Sequence, residues 1–143
     1  MTKARQAYVN AVASNYVRLP STPLRASRGD RHFAGILSEQ RVPLRLVYAA
    51  FVLAIARREI RSASLPRLPA IRTLRFFQGA IDEALETTPD PAYIDYLAAK
   101  IKPLVAEKEL ALRSNAQTLR RHDATPHAFA LDPRQNPAVP DRR

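Results

Sequence analysis

From Lys3 to Leu112 the apolar positions recur at three- and four-residue spacing, and no stretch of five or more residues alternates as a strand would. Tyr8, Val12 and Tyr16 put one apolar face on a helix over Lys3–Val17, which must end before Pro20. Leu19–Ser27 is a connector rich in Pro, Ser and Thr. Ser27, with Asp30 three residues on, reads as an acidic capping box that opens a second helix to about Gln40, with Phe33, Ile36 and Leu37 inward. Arg41-Val42 is a tight break, and Pro43 suits the start of the next helix. That helix, Pro43–Arg61, contains eleven consecutive uncharged residues, Leu46 to Ala56, and has almost no polar side. Such a helix needs neighbours on several faces, so it is predicted to be the centre of the fold.

Ile71, Leu74, Phe77, Ile81 and Leu85 predict one amphipathic helix over Ile71–Glu86. Asp90-Pro91 caps and starts a last long helix whose inner stripe is Ile94, Leu97, Ile101, Leu104, Val105 and Leu112. Pro103 is expected to kink or split it near Lys102. Beyond His122 come Pro126, Pro133, Pro137 and Pro140 with few large apolar groups, a pattern that predicts a disordered tail. The expected architecture is all-α: a five- to six-helix bundle around residues 43–61, with one helical domain over 1–121 and a Pro-rich tail over 122–143.

Charge changes this picture more than composition does. The 143 residues carry 23 Lys and Arg against 13 Asp and Glu, a net of +10. Through Ala80 there are 14 basic residues and three acids (Asp30, Glu39, Glu59), whereas the remainder has nine and ten. A polyanion preference therefore belongs to the first half. Codon bias toward arginine would act on both halves alike, so it does not account for the asymmetry. The absence of cysteine excludes a disulfide framework, a thiolate zinc site and a cysteine nucleophile. The eleven-residue apolar run falls well short of the roughly 20 residues of a bilayer span, so the expectation is a cytoplasmic protein without membrane contact.

Candidate chemistry is sparse. His122 and His127 fall in the tail, and His32 lies in a basic run with no metal-ligand spacing around it. Asp82, Glu83 and Glu86 read as the solvated face of a helix. Gly29, Gly35 and Gly79 are too scattered for a phosphate-cradling loop, and no nucleophile elbow surrounds any serine. The sequence predicts a protein that is not an enzyme and has no cofactor and no metal.

Three basic clusters remain. Arg25, Arg28 and Arg31 surround a helix start, where free N–H groups favour phosphate; pairing with Asp30 and Glu39 is the competing reading. Arg57, Arg58 and Arg61 end the apolar helix, where the dipole itself favours cations. Arg72 and Arg75 lie one turn apart, with Arg67 in the loop before them. The second and third helices are expected to run antiparallel across Arg41-Val42, which makes the first two clusters neighbours and predicts one polyanion site formed by both. A shared face for these arginines favours ligand binding, whereas an acid beside each favours a structural role. Reading of a DNA groove by the Pro43 helix is not expected, because its start is apolar apart from Arg45.

Leu19-Pro20-Ser21-Thr22-Pro23, Ser27-Arg28-Gly29-Asp30-Arg31, Arg57-Arg58 and Leu68–Phe77 resemble segments of small uncharacterised bacterial proteins associated with mobile elements. The stretch Leu37–Ile81 is also similar to the helical domain of DnaD-type replication-initiation proteins, through a buried helix (Val47–Arg58) followed by a loop and Ile71–Phe77. That resemblance implies DNA binding and contacts with replication proteins. The expected function is thus a nucleic-acid-binding accessory protein, acting on DNA rather than RNA, through Arg25, Arg28, Arg31, Arg57, Arg58, Arg61, Arg72 and Arg75. The alternative is a non-catalytic adaptor that docks a protein partner through helix 91–121.

Overall fold

The computed structural model describes residues 2–60, 64–66 and 68–124, with 119–124 as backbone only. Five α-helices, α1 Lys3–Val17, α2 Arg28–Glu39, α3 Leu44–Glu59, α4 Gln78–Glu86 and α5 Pro91–Ala124, form an all-α bundle together with a 3-10 turn, Leu74–Phe77. There is no strand among the described residues. One compact unit ends at Leu110; α5 continues beyond it, where Thr118 Oγ1 bonds back to the Ser114 carbonyl at 3.0 Å. The tail expected over 122–143 lies almost wholly outside the described residues.

Local chemistry sets the first three helices. Thr2 caps α1 by accepting the Arg5 N–H. At the start of α2 the capping box is complete: Ser27 Oγ accepts the Asp30 N–H at 3.0 Å and Asp30 Oδ2 accepts the Ser27 N–H at 2.9 Å. At its end Val42 N–H reaches the Leu37 carbonyl and Arg41 N–H the Ser38 carbonyl, while Arg41 takes φ 59°. This is a Schellman stop, and buried Val42 is its apolar anchor. The sharp reversal comes at Arg41, and Pro43 serves as the N-cap of α3.

The α3 helix is the centre of the fold. Val47, Ala50, Phe51, Leu53, Ile55 and Ala56 are buried, and Phe51 meets Phe77 with ring centroids 4.8 Å apart. Phe77 in turn sits edge-on to fully enclosed Tyr16 at 6.1 Å. The α1 helix packs on α2 and α3 on α4, and the Leu74–Phe77 turn touches α2, α3 and α4.

Two expectations are corrected. Ile71–Glu86 is not one helix: it is extended through Thr73, turns over Leu74–Phe77 and becomes helical only at Gln78. The Ile71 N–H bonds the Ser21 carbonyl at 2.8 Å and the Leu74 N–H bonds Asp30 Oδ1 at 2.9 Å, so distant acceptors hold the N–H groups of this stretch. Leu85, expected inward, is exposed. At Pro103, where a kink or a split is expected, α5 runs on without a split. Its missing N–H leaves the Ala99 carbonyl without its helix partner, and both residues are at the surface.

The α5 helix is anchored by burial of Leu97 and Ile101 and by one cation. Lys108 Nζ donates into a ring of oxygens at the end of α1: Val17 O at 2.6 Å, Leu19 O at 3.0 Å, Thr22 O at 2.9 Å, Thr22 Oγ1 at 2.7 Å and Pro23 O at 3.2 Å. Burial pushes its pKa down to about 8. Arg18 and Glu109 pair beside it.

Asp30 is 2% exposed and accepts from both the α2 cap and the Leu74 backbone. Asp30→Ala is expected to cost about 2–4 kcal/mol, read by chemical denaturation, because it orphans buried donors at two chain segments. Tyr8 donates its hydroxyl to the Val42 carbonyl at 2.7 Å. Burial, and secondarily Tyr48, push its pKa up to about 12. The unfolded value is near 10, so this contribution is complete below about pH 10 and lost as pH climbs toward 12. Alkaline unfolding of Tyr8→Phe should show a shallower fall over that window than the parent.

Candidate nucleic-acid interface

The first basic cluster becomes a groove. The capping box fixes the first turn of α2, and Arg28, Arg31 and His32 project from it beside Arg5, Gln6 and Val9 of α1. These six residues line an open groove of about 460 Å³, and none of them is acidic. Arg31 donates to Asn10, a neutral partner. Arg28 is exposed and has no hydrogen bond or ion pair among the described residues. The cap uses the N–H groups of Ser27 and Asp30, which leaves those of Arg28 and Gly29 without a partner among the described residues.

Arg5 belongs to this groove and was not singled out from the sequence. Its guanidinium crosses α2 at Gly35 to pair with Glu39. A Cβ at Gly35 would collide with that guanidinium, so the glycine is what admits the crossing. One glycine inside an amphipathic helix was the available signal.

The second cluster is used differently. Arg57 forms a two-pronged pair with Glu83 of α4, at 2.8 and 2.6 Å. That bond raises the Arg57 pKa and holds the Glu83 carboxyl below its ordinary range. The Arg58 side chain is only 8% exposed. It donates to the Leu68 and Pro69 carbonyls, lies 3.5 Å from Glu59 and covers Phe76 at 5.8 Å. Both arginines cross-brace α3 to its neighbours. Arg61, and Arg67 of the loop, lie outside the described residues.

In the third cluster Arg75 sits 4.8 Å over Phe33, and Arg72 is exposed. Arg25 is exposed in the connector ahead of Ser27. Those of the eight arginines that are described therefore do not form one face. Arg31 turns toward α1, Arg75 packs on the other flank of α2, and Arg57 faces α4. The expected side-by-side run of α2 and α3 is also not seen, because α2 pairs with α1 and α3 with α4. Both α1 and the Leu74–Phe77 turn contact each of α2 and α3.

On α5, Tyr93 and Tyr96 stack at 6.5 Å and 19°, with Lys100 Nζ 5.3 Å over Tyr96. With Ile60, Arg57, Ala56 and Leu97 they border a cavity of about 290 Å³. Isolated apolar residues at a surface attract no notice in a sequence, and their gathering is a product of the fold.

The division of the arginines makes opposite demands on stability. Arg58→Ala is expected to cost about 1–2 kcal/mol, because it strips two carbonyls and a ring of their cover. Arg28→Ala should leave the melting temperature unchanged, and thermal denaturation of the two variants checks both.

No membrane-spanning candidate occurs among the described helices. No protein-family model, curated protein or solved structure matches this chain, so the chemistry of these surfaces is what points to a function.

Proposed function

We propose that this chain is a non-catalytic nucleic-acid-binding accessory protein that holds a phosphate backbone, of DNA in preference to RNA, in the groove between α1 and α2. The carrying observation is that Arg5, Arg28, Arg31 and His32 line one groove without an acid. Arg5 is already tied to Glu39, and Arg31 has only a neutral partner that a phosphate can displace. Arg28, with nothing to release, is the first contact. The dipole of α2 and the N–H groups of Arg28 and Gly29 add to the same field. Arg25, Arg72 and Arg75 extend the positive potential around both flanks of α2, whereas Arg57 and Arg58 serve the fold. Such contacts set affinity and register but do not read bases. A setting in replication or mobile-element maintenance accords with the sequence resemblances.

Each phosphate neutralised releases counterions, so affinity falls steeply with salt. Arg28→Ala/Arg31→Ala is expected to reduce the slope of log affinity against log salt by about 2 and to weaken every duplex sequence alike. Titration of labelled duplex DNA at several salt concentrations measures both quantities. Unchanged affinity and slope would remove the groove. The adaptor reading, favoured by exposed Tyr93, Tyr96 and Ile60 around the α5 cavity, would then take the lead.

A further inference from the structure

The Leu74–Phe77 turn presents one aromatic ring that the core does not use. Its residues alternate sharply in exposure: Leu74 and Phe77 are fully buried, while Arg75 and Phe76 face outward with Arg72 just ahead of them. Phe76 is 46% exposed. It is nevertheless fixed in orientation, since its ring stands edge-on to Phe77, with centroids 5.1 Å apart and an angle of 86°, and Phe77 is locked between Phe51 and Tyr16. The Arg58 guanidinium lies over the ring at 5.8 Å, held there by the Leu68 and Pro69 carbonyls. Arg75 is held over Phe33. Arg72 and Arg75 make no ion pair among the described residues.

We infer that Phe76 is a stacking platform for an unpaired base, so that the nucleic acid this protein prefers is single-stranded. This inference rests on the proposed phosphate-binding function and adds the state of the strand. Arg58 covers part of the Phe76 ring; the part that stays exposed is apolar surface beside cations, and those cations select what covers it. Arg72 and Arg75, both exposed, attract a polyanion, whereas an apolar protein segment would have to desolvate them. A base offers a π-face to Phe76 while its phosphates meet Arg72 and Arg75. Within a duplex the bases are already stacked on one another, and the ring finds only backbone.

The chain has no tryptophan, so Phe76→Trp creates a sole indole reporter at the platform. Single-stranded oligothymidylate should quench that indole on binding, and a duplex of equal length at equal saturation should not. Phe76→Ala should weaken single-strand binding about tenfold and duplex binding less than twofold. Phe76→Leu keeps an apolar side chain but no π-face. It should match Phe76→Ala in binding and the parent in melting temperature, which separates stacking from packing. If the parent binds both ligands with the expected salt slope but the indole is not quenched, or the Phe76 variants lose both ligands equally, the platform is overturned and the phosphate groove stands. If the parent binds neither ligand, the phosphate-binding function itself fails.

Discussion

One buried carboxylate decides how this bundle is put together. Asp30 closes the cap of α2 with one oxygen and, with the other, takes the backbone N–H of Leu74, 44 residues away. A carboxylate removed from water needs several donors, and the chain supplies them from two separate segments. That requirement pins the extended strand of chain before Leu74 against α2 and stops a helix from starting at Ile71. It thereby places Phe77 under Phe51 and Tyr16, and brings Arg75 over Phe33. The aromatic core and the outer face of the turn both follow from the same pair of hydrogen bonds.

The arginines show how identical side chains acquire different roles from their surroundings. Arg57 and Arg58 end a helix that neighbours cover on several sides, so a carboxylate and loop carbonyls lie within reach and absorb their donors. Arg28 starts a helix whose first-turn acid, Asp30, is turned inward and already saturated. Its guanidinium is left to solvent. Net positive charge is thus retained where α2 begins and spent internally where α3 ends. Lys108 is a third case, in which an ammonium substitutes for the missing donors at the end of α1 and fastens α5 to the body. This cage and the burial of Leu97 and Ile101 carry its attachment.

Much of the fold was legible along the chain. The limits of α1, the capping box at Ser27 and Asp30, the stop at Arg41, the central burial of Val47 to Ile55 and the cap at Asp90 all depend on residues within one or two turns of each other. Local chemistry of that kind is written in sequence order. Of the candidate site, Arg28 and Arg31 were legible for the same reason: they adjoin a recognisable helix start.

What only the tertiary structure decided involves partners far apart in sequence. Ile71–Thr73 has the spacing of a helix and is extended, because the Ser21 carbonyl takes the Ile71 N–H and the Asp30 carboxylate takes that of Leu74, the next residue along. Arg57 and Arg58 have the composition of a phosphate site and are braces, because Glu83, Leu68 and Pro69 arrive from other elements. Arg5 joins the groove because Gly35 leaves it a passage over α2, and Phe76 stays at the surface because Phe77 takes the place inside. Spacing along the chain fixes which face of a helix is apolar; which acceptor reaches a given donor depends on the helices around it, and that is settled only when they pack.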